Sequence, residues 1–226
     1  QGGSLADTRD AAPGLPRGRA SLPPSDVAAD QRKRLLAAAV ATVAEAGLRG
    51  VTVADIVRHA RVSKAAFYAH FADKDDCVLA ASTHGWNLMI DAVHAATRAL
   101  APDAEPETIW RASCRAYLRF LADEPAFARI FYLDVPAAGD GWARHDAATH
   151  QYARMNHEWH ERARRRHPQW PAVPFDAFIA LAGATTELVS VRVRHGRTDE
   201  LPALEDTLTA LHLAVLAGRP WGASDL

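Results

Sequence analysis

Two cysteines in 226 residues, Cys77 and Cys114, are too few and too far apart for a disulfide framework. Reduced thiols in a cytosolic protein are the simplest reading. No apolar run approaches the length that spans a bilayer, and no secretory leader pattern is present, so the expected setting is the cytoplasm. No stretch alternates apolar and polar residues in the way a half-buried strand does. No Ser lies in a Gly-x-Ser-x-Gly context, no Gly-rich phosphate loop follows a strand, and no nucleophile, base and orienting group stand together. These absences argue against an enzyme and call for no cofactor. A dominant charge sign is lacking too: the net charge of −1 excludes a generic polycation.

What is present is apolar and helical. Apolar residues make up 49% of the chain, enough for a real core in one domain or two small ones. Charge is uneven along the chain. Residues 30–75 hold eight Lys or Arg against five Asp or Glu, a net of +3, while residues 1–29 balance and residues 76–226 carry −4. A modestly basic module on an acidic body is the pattern of a nucleic-acid reader with a second role.

The basic module centres on Val62–Asp75. Ser63 can cap a short helix there. Phe67 and Phe71 lie four apart and share one face, and Val62 and Ala66 suit a staple-like contact at the helix entry. The opposite face carries Lys64, Ala65, Tyr68 and Ala69. Small residues admit close approach to a partner, and Lys and Tyr can bond phosphates or base edges. The preceding segment, Thr52–Ala60, reads as a second short helix. Thr52 is its cap, Asp55 stands three residues on in a capping-box arrangement, and Val53, Ile56, Val57 and Ala60 form its apolar stripe. Two short helices joined by Arg61 and Val62 make a helix-turn-helix, which lays its second helix in the DNA major groove.

From Leu35-Leu36-Ala37-Ala38-Ala39 through Gly47, Thr52–Ile56 and Ala60–Lys74, about a fifth of the chain resembles the DNA-binding domain of TetR-family transcriptional regulators. The sequence departs from that family at Arg61, where the tight turn usually has Gly, and at Cys77, where Leu is usual. Arg adopts the turn's backbone less cheaply than Gly, and it adds a cation near the expected DNA surface. The resemblance implies an all-α fold: an N-terminal three-helix DNA-binding domain at residues 26–74 and a C-terminal helical domain for ligand binding and dimerisation at residues 75–226. Lys64 and Tyr68 are the expected contacts to bases or phosphates, with Ala65 and Arg61 beside them. Thr52, Ser63, His70 and Lys74 are the expected phosphate contacts.

Residues 1–25 read as a disordered arm, rich in Gly, Pro, Ala and Ser. Gln1-Gly2-Gly3-Ser4 looks like a cloning remnant and is set aside. Pro16-Arg17-Gly18-Arg19 is either a solvated linker or an AT-hook-like core whose Arg17 and Arg19 enter a narrow A·T minor groove. A first helix is expected over 26–46, capped by Ser25 or Asp26, packed through Leu35, Leu36, Ala39, Val43 and Ala46, and ended by Gly47. Arg32, Lys33 and Arg34 at its start are either phosphate contacts or a solvated face.

A long helix is expected from Lys74 to about Ala99, and every later segment reads helical: 108–123, a short helix after Glu124-Pro125, 142–167, 175–195 and 201–217. The last two are apolar over more of their circumference than one core requires, with Leu201, Leu204, Leu208, Leu211, Val215 and Leu216 on one stripe. Members of the family typically dimerise through their last two helices, so the resemblance implies a homodimer on a near-palindromic operator.

Aromatic residues are frequent between residues 76 and 195, where the resemblance implies a pocket for a small effector, hydrophobic or aromatic in character. Trp86, Trp110, Tyr117, Phe131, Trp159 and Phe178 are the pocket candidates, although aromatics at helical spacing also serve as core. Asn156 and Glu187 are either polar anchors in that pocket or surface and seam residues. His157-Glu158-Trp159-His160-Glu161 misses the zinc-protease motif by one place, because Glu161 stands where the second His belongs. His150, His157 and Glu161 can share a side, but a solvated helix face is expected and no metal is assigned. The implied activity is ligand-responsive regulation, most simply repression relieved by the effector. An activator of the same fold, a constitutive architectural DNA binder and a metabolic enzyme with a vestigial DNA module are the alternatives.

Overall fold

The computed structural model describes residues 3–7, 23–135 and 141–219. Among these every regular element is helical: α1 (Pro24–Gly50), α2 (Val53–Ala60), α3 (Lys64–Tyr68), α4 (Lys74–Arg98), α5 (Pro106–Asp123), α6 (Pro125–Arg129), α7 (Gly141–Arg166), α8 (Phe175–Arg194) and α9 (Glu205–Leu216). A π-helical turn at Ile130–Asp134 continues α6, and 3-10 turns occupy Ser4–Ala6 and Thr198–Leu204. No helix among the described residues is long and apolar enough to cross a membrane. Arg17 and Arg19 lie outside the described residues.

The chain divides into two compact units, Gln1–Asn87 with Asp123–Gly141, and Leu88–Ala122 with Trp142–Leu226. The unit holding the helix-turn-helix thus extends past residue 74. Its core joins α1 (Leu35, Val43), α2 (Ile56), α3 (Phe67) and the first turns of α4 (Cys77, Val78) to Ala126 and Ile130. α1 begins at Pro24, two residues before the expected start, and Ser25 and Asp26 do not cap it. Proline's preset φ and missing N–H suit the first helical position, so no side-chain cap is required. Ala46, expected in the packing stripe, is exposed, while Val40 and Thr42 are buried. At Gly47 the backbone leaves the helix with φ 71° and ψ 157°, a region open in practice only to glycine.

Close approach explains a second glycine. A Cβ on Gly85 would lie 2.3 Å from the ring of Phe127, so only glycine lets α4 meet that buried ring. Beside it Trp86 stacks on Phe131, centroids 5.3 Å apart and planes 13° from parallel. Residues 3–7, expected in the arm, are tied down as well. Ser4 and Leu5 donate backbone N–H groups to the Glu124 carboxylate at 2.8 and 2.9 Å.

In the second unit, Ala153, Phe178, Leu181 and Leu216 form one buried cluster and Ala163, Trp170 and Leu213 another, bridged by half-buried Trp159. The expected final helix 201–217 is divided. Pro202 has no N–H to donate, and residues 198–204 wind as a 3-10 segment before α9 begins at Glu205. Most of its stripe serves the chain's own core: Leu201, Leu204, Leu208 and Leu216 are buried, leaving Leu211 half-buried and Val215 38% exposed.

Candidate nucleic-acid interface and effector cavity

The helix-turn-helix is built from short-range bonds. Thr52 caps α2 by accepting the Asp55 N–H at 3.3 Å, and the Thr52 N–H donates to the Asp55 carboxylate at 3.1 Å, closing the capping box. The Thr52 hydroxyl donates to the same carboxylate at 2.7 Å, so its proton is already engaged. These bonds hold the Asp55 carboxyl below its usual pKa. At the other end of α2, Arg61 adopts the left-handed conformation, φ 54° and ψ 43°. The Arg61 N–H donates to Arg58 O and the Val62 N–H to Val57 O, a Schellman closure with Arg in glycine's usual place. Ser63 caps α3 by accepting the Ala66 N–H at 3.1 Å, which leaves its own O–H to donate elsewhere.

α3 then has two unlike faces. Phe67 and Phe71 are buried with rings 5.7 Å apart. Lys64, Ala65 and Ala69 are exposed, and Tyr68 is 56% exposed with its ring edge-on to Phe67. His70 is half-buried against Phe71. Lys74, expected at a phosphate, has another use in the structure. Its ammonium donates to Leu48 O at 2.8 Å and Val51 O at 3.0 Å, meeting two carbonyls where α1 ends. Of the basic run on α1, Arg34 pairs with Asp30 at 2.6 Å and Arg32 lies 4.8 Å over the Phe71 ring, while Lys33 is exposed.

The second unit contains a cavity of about 430 Å³, within the range of small-molecule sites. Four of the eight expected pocket residues line it: Trp110, Tyr117, Asn156 and Trp159. The other four do not. Trp86 and Phe131 stack on one another in the first unit, Phe178 is buried with Leu181 and Leu216, and Glu187 is exposed. Aromatic spacing along a helix shows that a ring is buried but not whether its neighbour is protein or empty space, so spacing alone does not separate these three rings from the cavity wall. The wall also uses Met89, Val93 and Met155, with the exposed cations Arg98 and Arg162 at its edge.

His212 was missed altogether. It is 1% exposed, lines the cavity and stacks on Trp110 at 4.2 Å. A signal existed in the sequence: a lone polar residue between Leu211 and Leu213 in a strongly apolar helix. Burial lowers its pKa to about 4, so the ring is neutral at pH 7. Asn156 donates to Tyr152 O at 2.8 Å, leaving its side-chain oxygen as a buried acceptor. Cys114 also lines the cavity, and burial pushes its thiol up to about 12, as it does for Cys77 in the other core; both are free and neither is a ready nucleophile.

The histidine-rich stretch of α7 is engaged in packing. His157 sets its edge against Phe178 at 5.2 Å, buried His160 bonds Leu216 O at 2.8 Å, and Glu161 pairs with Arg164 at 3.1 Å. Leu216 lies in the last turn of α9, so His160 meets a carbonyl the helix itself leaves open.

A capped helix-turn-helix with an exposed polar face, carried by a helical chain that also holds a largely apolar cavity, defines the class as an all-α protein with a DNA-binding module. Residues 35–81 match the family described as bacterial regulatory proteins, tetR family. The helix-turn-helix module is thus of the tetR-family type. Solved structures share the chain's fold over most of its length. A fatty acid degradation regulator, FadR, from Bacillus halodurans superposes with a TM-score of 0.72 at 16% identity, over 85% of this chain and 96% of that one. FadR from Bacillus subtilis, in complex with stearoyl-CoA, gives 0.70 at 15% identity over 83% and 98%. A tetR-family regulatory protein from Rhodococcus RHA1 gives 0.63 at 23% identity over 83% and 97%. No curated protein sequence matches the chain.

Proposed function

We propose that the protein is a cytoplasmic, homodimeric repressor released from its operator by a small, mainly hydrophobic or aromatic effector. The observation that carries the DNA-binding part is Tyr68, a large aromatic left 56% exposed beside Lys64 on a helix whose other side buries Phe67. A solvent-facing phenol and ammonium four residues apart can reach base edges or phosphates from one helix lying in the major groove. Ala65 lets the backbone come close, and Arg61, the Ser63 hydroxyl and His70 supply donors to phosphates. Lys74 and Thr52 serve the site chiefly by holding the module's geometry, since their polar groups already bond within it.

The effector part rests on the cavity, whose apolar wall and few buried polar atoms suit a ligand of that character. The stearoyl-CoA bound to Bacillus subtilis FadR supports reading a protein of this fold as a receptor for molecules with apolar bodies. α4 opens at Lys74 and carries Met89 and Val93 of the cavity wall. Ligand binding shifts the population of this helix, and the two recognition helices of a dimer lose the spacing of successive major grooves. Leu211 and Val215 on α9, with Ile179 on α8, are apolar residues left for a dimer seam.

The test is operator release. DNA from upstream of the gene is bound to the protein and challenged with a panel of apolar and aromatic compounds. Release by some members, abolished by Trp110→Ala with operator affinity retained, is the expected result. An operator complex indifferent to every compound that demonstrably binds the protein would leave an architectural binder instead.

A further inference from the structure

The cavity wall holds two buried polar atoms that the chain leaves without partners. Trp110 and His212 both line it, 4% and 1% exposed. Their rings stack 4.2 Å apart, 29° from parallel, so neither can hydrogen-bond the other edge to edge. His212 Nδ1 lies 2.8 Å from Leu208 O. A carbonyl only accepts, so Nδ1 carries the ring proton and Nε2 presents a lone pair. That Nε2 has no partner, and neither has the indole N–H of Trp110. A bare acceptor and a bare donor therefore sit on neighbouring rings. Each carries a desolvation penalty that a partner would relieve.

The buried part of the wall brings no charge to this pair. Arg98 and Arg162 line the cavity but are exposed, and Asn156 offers only its neutral amide oxygen. A carboxylate set against the Nε2 lone pair would be repelled, whereas a group that both donates and accepts satisfies both rings. We infer that the effector is a neutral, mainly apolar or aromatic molecule bearing a hydroxyl or secondary amide, whose hydrogen donates to His212 Nε2 and whose oxygen accepts from the Trp110 N–H. This inference rests on the cavity being the effector site. Both nitrogens are covered, so a ligand reaches them only when a neighbouring side chain shifts; half-buried Trp159, tilted against Trp110 at 5.4 Å, adjoins the pair.

The experiment is calorimetric titration of the full chain at neutral pH with 2-naphthol, 2-methoxynaphthalene and naphthalene, followed also by the Trp110 indole N–H resonance. 2-Naphthol should bind about tenfold more tightly than naphthalene, with the methoxy compound between them, because only the hydroxyl engages both rings. The indole resonance should move downfield with 2-naphthol and not with naphthalene. In His212→Phe the advantage of 2-naphthol over the methoxy compound should vanish while naphthalene binding persists; in Trp110→Phe the methoxy compound should lose its advantage over naphthalene. The native series decides even where a variant does not fold. Equal affinity for all three compounds overturns the role of the pair and leaves the cavity standing as a site. No binding of any compound overturns the cavity as an aromatic-effector site, and the inference with it.

Discussion

The helix-turn-helix and the helical body are held together over very different distances along the chain. In the first, Thr52 bonds Asp55, Ser63 bonds Ala66, and Arg61 closes on Arg58, all three residues apart. In the second, Arg115 reaches Glu205 at 2.7 Å across 90 residues, Arg111 pairs with Asp206, Arg219 pairs with Glu107, and His160 meets Leu216. Caps and a turn closed by local bonds fix the presentation of the α3 surface, which suits a reader of base edges. A body closed by distant contacts can leave space between its helices and adjust around a guest. The turn satisfies the polar groups of its own caps, whereas the body leaves the Trp110 and His212 ring nitrogens unpartnered at the cavity wall.

The comparison is broken most forcefully by attacking a distant contact. Gly85→Val should destabilise by about 3 kcal/mol or more, because its Cβ would enter the Phe127 ring, which is itself fully buried. Chemical denaturation measures this, and a loss below about 1 kcal/mol would mean that the packing there is looser than described.

Acid should strike the body next. His212 has its pKa lowered to about 4 in the folded chain, against 6.5 for the ordinary group. Between those values the unfolded chain binds a proton that the native chain refuses. Stability is therefore complete above about pH 6.5 and falls as pH drops toward 4, by up to about 3 kcal/mol. Burial lowers the pKa of His160 too, adding in the same direction. His212→Phe should flatten the profile; an unchanged slope would exclude His212 as its source.

Lys74→Met separates bracing from DNA contact. Loss of two charge-assisted bonds to Leu48 and Val51 should cost about 2 kcal/mol. The salt dependence of DNA binding by the remaining folded protein should be unchanged, whereas a direct phosphate contact would lower the salt slope by about one. The smallest effect is a gain. Arg61→Gly relieves a left-handed backbone at the turn and should stabilise by about 0.5–1 kcal/mol, after allowing for the greater freedom of glycine when unfolded. Thermal denaturation registers it, and a loss would show that the Arg61 side chain contributes packing.

The contrast in bond length along the chain also explains what could be read from sequence. The Thr52–Asp55 box, the Ser63 cap, the Phe67–Phe71 pair and the break in α1 at Gly47 all follow from local sequence, and each is where the sequence puts it. The all-α fold follows from the same periodicities. The cavity is different, because it is defined by where helices distant in sequence fail to meet. Trp110, Tyr117, Asn156 and Trp159 line it, whereas Trp86, Phe131 and Phe178 have the same helical signature and complete ring-on-ring contacts instead. The bonds from Lys74 to Leu48 and Val51 were likewise invisible, since they join residues more than twenty apart through backbone carbonyls that every residue possesses.

The central claim is that the exposed face of α3 reads DNA. The measurement that tests it most directly is binding of the full chain to DNA from upstream of its own gene at two salt concentrations, beside Lys64→Ala and Tyr68→Ala. Both side chains are exposed, so neither change should alter stability by more than about 0.5 kcal/mol. The account predicts tight, salt-dependent binding that weakens at least about tenfold in each variant, with discrimination between operator and unrelated DNA reduced. Variants that are folded and bind the same DNA as tightly and as selectively as the native chain would contradict it.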